Sequence, residues 1–254
     1  MTSHDVVSRD QWIEASRALL VEEKAWTKER DRLAERRRAL PWVQVDKEYV
    51  FEGANGPVTL ADLFDGRSQL VVYHFMFGPD WEEGCIGCSL MSDHADSARQ
   101  HFEHHDVSYA AVSRGPIAKL LAYRARMGWT FEWVSSAGTD FNFDYHVSFP
   151  AGEREQGVFY NFEMQPDPEI DELSGSSIFY READGTIYHT YSTFGRGDEP
   201  FLGVYAFLDL VPMGRNETVR GNLMDWVKRH DRYEGDGRTN PVEHHMPAIP
   251  ATAS

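Results

Sequence analysis

Three rhythms of apolar and polar positions run along the chain, and each predicts a different kind of element. Between residues 8 and 40 charged positions dominate, with Trp12, Ala15, Leu19, Trp26, Leu33 and Leu40 spaced as on one side of a helix. Ser8 with Gln11 three positions on supplies a capping box, and Pro41 supplies a stop. The stripe fits a helix that packs along the domain, or an arm for homodimerisation. From Trp42 the rhythm shortens to that of strands, at 42–45, 49–52 and 58–60, around the turn-rich Gly53-Ala54-Asn55-Gly56-Pro57.

An apolar run at 69–77 then predicts a central buried strand, followed by a polar helix from the cysteines to about His105. A buried strand at 107–113, a helix over 117–127 closed by Gly128, and a short strand at 131–134 complete a β-α-β-α-β series. That alternation predicts a mostly parallel sheet with helices on its faces. Residues 135–175 have weak periodicity and many aromatics, which reads as an insertion folded over the sheet, towards the cysteine turn. Residues 177–181 and 186–191 flank Ala183-Asp184-Gly185 as a closing hairpin, with a helix near 200–210 and another short one within 216–231. The division expected is a helical arm at 1–41, an α/β domain at 42–212, and a partly disordered extension at 213–254.

Composition narrows the function classes. With 25 Lys and Arg against 41 Asp and Glu, the net charge of −16 argues against nucleic acid, which needs clustered positive charge. The one basic cluster, Arg36-Arg37-Arg38, sits among acidic neighbours and reads as a salted helix face. No apolar run approaches the roughly 20 residues that span a bilayer, so no membrane partner is expected. The polar start lacks a charged-then-apolar signal, and two cysteines cannot build a disulfide framework. A cytoplasmic setting follows, where a CxxC is more often catalytic or metal-binding than structural.

Those two cysteines carry the candidate chemistry. Cys85 and Cys88 stand at the join between the central strand and its helix. A helix start carries roughly half a unit of positive charge and unpaired N–H groups, which favour a thiolate. The thiolate is the attacking species in disulfide exchange. The expectation is Cys85 as nucleophile and Cys88 as resolving thiol, acting on a protein or small-molecule thiol or disulfide with no further cofactor. Asp80, Glu82 and Glu83 push the thiol pKa the other way.

The order of elements looks like a thioredoxin-like fold with a peroxiredoxin-type N-terminal extension, a long N-terminal helix and an irregular insertion before the final hairpin. The stretches Leu60–Arg67, Tyr73–Trp81, Gly84–Ser89, Ala111–Arg114, Trp133–Ser136 and His189–Gly197 resemble the DUF899 family of thioredoxin-like proteins, described as predicted dithiol–disulfide oxidoreductases. The resemblance spans about residues 8–230 and implies thiol–disulfide chemistry at Cys85 and Cys88. Two departures from better-understood relatives stand out. Ser174-Gly175-Ser176-Ser177 holds no proline ahead of the final hairpin, and no Ser or Thr lies between Pro79 and Ile86 to make a peroxidatic motif.

Four more residues are candidates for substrate contact: Trp81 just before the cysteines, Arg114 past the end of a strand, and Tyr145 and His146 in the insertion. Trp81, Arg114 and His146 also have plainer readings, respectively a core edge, a surface ion pair and a hydrogen-bonded loop histidine. Two other functions stay open at this point. The CxxC can be half of a zinc site, although His94, His101, His104 and His105 lie on its own helix. Alternatively the fold is a binding module with an aromatic pocket and incidental cysteines. The adjacent His244 and His245 read as solvated.

Overall fold

The computed structural model describes residues 4–150, 152–215, 217, 224 and 226–234. The chain divides into two compact units, Met1–Trp42 and Val43–Ser254.

The first unit holds helix α1, Arg9–Arg38. Ser8 caps it as the sequence predicts, its hydroxyl accepting from the Gln11 N–H at 3.3 Å while the Gln11 amide oxygen accepts from the Ser8 N–H at 3.0 Å. Three arginines in the last turn complement the negative end of the helix dipole. No residue of α1 is buried.

The second unit is built on an eight-stranded sheet. In chain order its elements are β1 (Val43–Gln44), β2 (Val50–Gly53), β3 (Gly56–Thr59), β4 (Gln69–His74), α2 (Ile86–Glu103), β5 (Val107–Ser113), α3 (Ile117–Met127) and β6 (Glu132–Ser135). There follow α4 (Phe141–Asp144), a small separate hairpin β7 (Val158–Tyr160) and β8 (Glu163–Gln165), then β9 (Gly175–Arg181), β10 (Ile187–Phe194) and α5 (Gly203–Leu208). The strand order is β1-β10-β9-β4-β5-β6-β2-β3. Strands β4, β5 and β6 run parallel through the crossovers α2 and α3, and β9 joins β4 antiparallel. This β-α-β-α-β core closed by an antiparallel hairpin is the thioredoxin-like arrangement, with β2–β3 and the long helix as the N-terminal extension.

Turn chemistry sets the boundaries. Gly128 ends α3 in the left-handed region (φ 70°), and Gly185 does the same for the β9–β10 turn (φ 93°). Pro116 precedes α3, where its missing N–H costs no helical bond.

Strand alternation divides the interior into two cores, one on each face of the sheet. Tyr73, Phe75, Ala111 and Trp133 pack against α2 and α3, together with both cysteines. Leu70, Val72, Ala110, Val112 and Val134 pack on the other side with Phe51, Phe64, Phe141 and Phe179. Burying aromatics of this size contributes on the order of 1.5–3 kcal/mol each, so both faces stabilise the sheet. The second tail helix expected within 216–231 falls largely outside the described residues, as do His244, His245 and all of 235–254.

Candidate dithiol site

The segment after β4 is held by β5 before it reaches the cysteines. The Phe75 N–H donates to the Val112 carbonyl at 3.0 Å, and the Ser113 hydroxyl donates to the Phe75 carbonyl at 2.6 Å. Gly115 N–H donates to the Phe77 carbonyl at 2.7 Å. The chain then turns back, so that Cys85 N–H donates to the Met76 carbonyl at 3.1 Å. Gly84 is required at this turn, because a Cβ there would stand 2.6 Å from the Phe75 ring.

Cys85 is the N-cap of α2, and its sulfur accepts from the Cys88 backbone N–H at 3.4 Å. Both cysteines are free thiols; Cys85 is half-buried and Cys88 is buried. Their environments push the two apart. The Cys88 thiol hydrogen-bonds the Cys85 sulfur and is the main cause that lowers the Cys85 pKa to about 7, against burial. The N–H groups of Cys88 and Gly87 and the Arg229 guanidinium act in the same direction. Cys88 goes well above the ordinary thiol range, through burial first and then the adjacent Cys85, although the Tyr73 hydroxyl eases its ionisation.

The acidic residues before Cys85 do not act as the sequence alone suggests. Glu83 is paired with Arg229 at 2.9 Å, Arg232 at 3.3 Å and also Arg126. Arg229 further donates to the Gly84 carbonyl at 2.6 Å and to the Tyr123 hydroxyl at 2.8 Å. Tyr123 is in turn within 2.9 Å of the Ser89 hydroxyl, which donates to the Cys85 carbonyl at 2.8 Å. A cation from the far end of the chain therefore offsets Glu83 beside the thiol.

The cysteines open onto a cavity of about 270 Å³, whose walls include Tyr73, Met91, Asp198, Leu202, Tyr205 and Met224. Asp198 is 4% exposed, and neither carboxylate oxygen has a hydrogen-bond partner among the described residues. Burial pushes its pKa up to about 7, and Ser176 lies close enough to offset this in part without completing hydrogen-bond geometry. At the first residue of β9, Gly175 leaves room for the Phe194 ring, which a Cβ there would approach to 2.4 Å.

Of the other sequence candidates, Trp81 packs at the edge of the cysteine-side core, its carbonyl accepting from Lys119 at 3.1 Å. Arg114 is held elsewhere, donating to the buried Glu172 at 2.9 Å and lying over the Phe143 ring. Glu172 also accepts from the Ser148 hydroxyl at 2.6 Å, so this pair pins the insertion to the end of β5. Tyr145 and His146 line a different cavity of about 450 Å³, with Phe159, Phe162, His189 and Phe194. Tyr145 packs with the core on the sheet face opposite the cysteines, stacking on His74. The insertion thus reaches the cysteine cavity at Ser174, while its aromatics gather across the sheet. Among the residues not foreseen from sequence, Tyr73 was accessible through alternation along β4. Asp198 and Arg229 carry no local signal, because their roles depend on burial and on contacts made far along the chain.

Among the described residues no group of three or more His, Cys, Asp and Glu is placed to hold a metal ion. His94 contacts the Leu90 carbonyl through Nδ1 at 2.7 Å and accepts from the Val204 N–H at Nε2 at 3.0 Å, which ties α2 to α5. No helix among the described residues is long and apolar enough to cross a membrane.

Among solved structures, a peroxidoxin BcpB from Mycobacterium tuberculosis is similar at 12% identity and a TM-score of 0.44, covering 65% of this chain and 94% of that one. A PrxQ variant from Xylella fastidiosa follows at 14% identity and 0.40, covering 63% and 89%. A putative protein disulfide isomerase from Bacteroides thetaiotaomicron has 15% identity and 0.37, covering 65% and 90%. No curated protein matches. The model of the family described as "Bacterial protein of unknown function (DUF899)" matches residues 1–233, and the chain belongs to that family.

Proposed function

We propose that this protein is a dithiol–disulfide oxidoreductase in which Cys85 attacks and Cys88 resolves. The observation that carries the reading is the placement of the two thiols at the start of α2: Cys85 is the half-buried N-cap whose sulfur accepts from the Cys88 N–H and faces the cavity, and Cys88 is buried behind it. A nucleophile performs best when its pKa lies near the ambient pH, and a buried partner keeps its proton until the first has reacted.

In the first step the Cys85 thiolate forms a bond to one sulfur of a substrate disulfide, and the other sulfur leaves as a thiolate that takes a proton from water. Cys88 then loses its proton and attacks the Cys85 sulfur. The mixed disulfide breaks, the second substrate thiol is released, and two electrons have passed from the dithiol to the substrate. A cavity of about 270 Å³ with several apolar walls favours a small disulfide, or one side chain of a larger one. The reading is of a cytoplasmic enzyme, where a reductant can return the Cys85–Cys88 disulfide to the dithiol.

Trapping tests the assignment. The Cys88→Ser variant should accumulate a mixed disulfide on Cys85, visible by mass, and Cys85→Ser should not. The reverse pattern would exchange the roles, and trapping by neither would end the reading. A second reading, a ligand-binding scaffold, is favoured by the aromatic cavity on the opposite face. It predicts that function survives Cys85→Ser.

A further inference from the structure

We propose that the cavity beside the cysteine turn is also a site for a soft monovalent metal ion, Cu(I), bound through Cys85, Cys88, Met91 and Met224. The chain has two cysteines and eight methionines, and both cysteines and two of the methionines line this one cavity. Cys85, Cys88 and Met91 follow one another at three-residue intervals along α2 and so lie on one side of the helix. Met224 comes from the C-terminal segment. Its sulfur is 3.2 Å from where a Cβ on Gly87 would stand, and the Cys85 sulfur is 3.9 Å from the same point. The absence of a side chain at Gly87 lets two sulfurs from distant parts of the sequence approach the same helical turn.

The donor set selects the ion. Thiolate and thioether sulfur favour Cu(I), whereas zinc takes cysteine with histidine or more cysteine, and harder ions take oxygen. His94 is engaged at both ring nitrogens, which removes the nearest histidine on α2 as a ligand. The cavity's charged residues are Arg196, Asp198 and Glu199, with Arg196 and Glu199 paired at 3.0 Å. The remaining carboxylate, that of Asp198, has no hydrogen-bond partner among the described residues, and in its ionised form it suits a bound cation. On binding, two Cu–S bonds form to the cysteine sulfurs and their two protons leave to solvent. The thioethers donate lone pairs, and neither copper nor sulfur changes oxidation state.

The test uses the full-length reduced protein without oxygen, titrated into Cu(I) held by the coloured chelator bicinchoninate. Wild type is expected to withdraw one equivalent and Cys85→Ser to withdraw little. Met91→Leu and Met224→Leu roughly keep side-chain volume, a swap that cores usually tolerate. Each should weaken binding by about tenfold or more, since even outer-shell partners of a metal commonly contribute 10–100-fold. Should Met224→Leu not fold, Gly87→Ala, which places a methyl between the two sulfurs, is expected to weaken binding instead. Unchanged affinity in both methionine variants, or Zn(II) displacing Cu(I) at equal concentration, would overturn the proposal. The readout is metal binding rather than turnover. A protein that binds Cu(I) but exchanges no disulfide defeats the oxidoreductase reading alone, and the converse defeats this one alone.

Discussion

Tyr73 and His74 are consecutive residues of β4, and they serve two unlike sites. On the Tyr73 side the polar groups line a cavity. Cys85 is poised to ionise, Cys88 resists ionisation, and Asp198 is buried with no hydrogen-bond partner among the described residues. On the His74 side they bond one another in series, although His74 Nδ1 is buried with no partner among the described residues. His74 Nε2 is 2.8 Å from the Ser177 hydroxyl, Ser177 is 2.9 Å from Ser192, and Ser192 is 2.7 Å from His189 Nε2. The lesson is that burial alone does not make a reactive site. Both faces hold a buried polar atom without a partner among the described residues, and what sets the Tyr73 side apart is the cavity that its thiols and Asp198 line.

The contrast can be broken most directly through turnover. Cys85→Ser should abolish reduction of a small disulfide, whereas Tyr145→Phe and His189→Gln should leave it intact in the same steady-state assay. Loss of turnover in the aromatic-face variants would mean that the two sites are coupled.

Next in size is the opposing pH dependence of the two faces. Burial, aided by His189, lowers His74 to about 3 from 6.5. Below 6.5 the unfolded chain takes up a proton that the folded chain refuses, so stability falls as pH drops from 6.5 towards 3. The slope for this one group is about 1.4 kcal/mol per pH unit. His74→Gln keeps a donor within reach of Ser177 and should flatten that loss in denaturant melts between pH 6.5 and 4.

Asp198 has the opposite sign. Its folded pKa is raised to about 7 from 3.8, so the folded state holds the proton more tightly. Its stability contribution is complete below 3.8 and is lost as pH rises to about 7. Glu172, raised to about 7 from 4.5 by burial, adds to the same trend. Asp198→Asn should therefore stabilise the protein above pH 7, by roughly 2–4 kcal/mol if the full shift is realised. A lower melting temperature at pH 8 would show that the carboxylate has a partner in solution.

The smallest effect is expected at Arg229. Arg229→Gln removes a cation that favours the Cys85 thiolate and leaves Glu83 with two arginines instead of three. Alkylation of Cys85 by iodoacetamide should then need a higher pH to reach half its maximal rate. An unchanged profile would leave the local N–H groups and Cys88 as the whole source of the lowered pKa.

These contrasts also show what was legible in the chain before folding. Strand β4, the cysteine turn, the Ser8–Gln11 cap and the Gly185 turn are local, and each is written in a few adjacent residues. The partition of the insertion was not. Tyr145 and His146 occur in a polar-aromatic cluster that reads equally well on either face, and only the packing of Phe141 against Phe51 and Tyr49 commits them to the His74 side. Arg114 reads as a substrate contact or a surface ion pair, whereas the partner that the fold gives it, Glu172, is 58 positions away and buried. The balance of charge at the cysteine turn was not legible either, because the arginines that pair with Glu83 arrive from α3 and from positions 229 and 232.

That last arrangement has a consequence for how the protein comes into being. Arg229 is made 145 residues after Gly84, the residue whose carbonyl it holds. A chain emerging from the ribosome completes β4, α2 and the sheet around them while this clamp is still unmade. Until then the thiol lacks one of the charges that sharpen it, and Glu83 is less fully offset. On the dithiol reading, that part of the thiol's activation is added only after the sheet and both crossover helices have been synthesised.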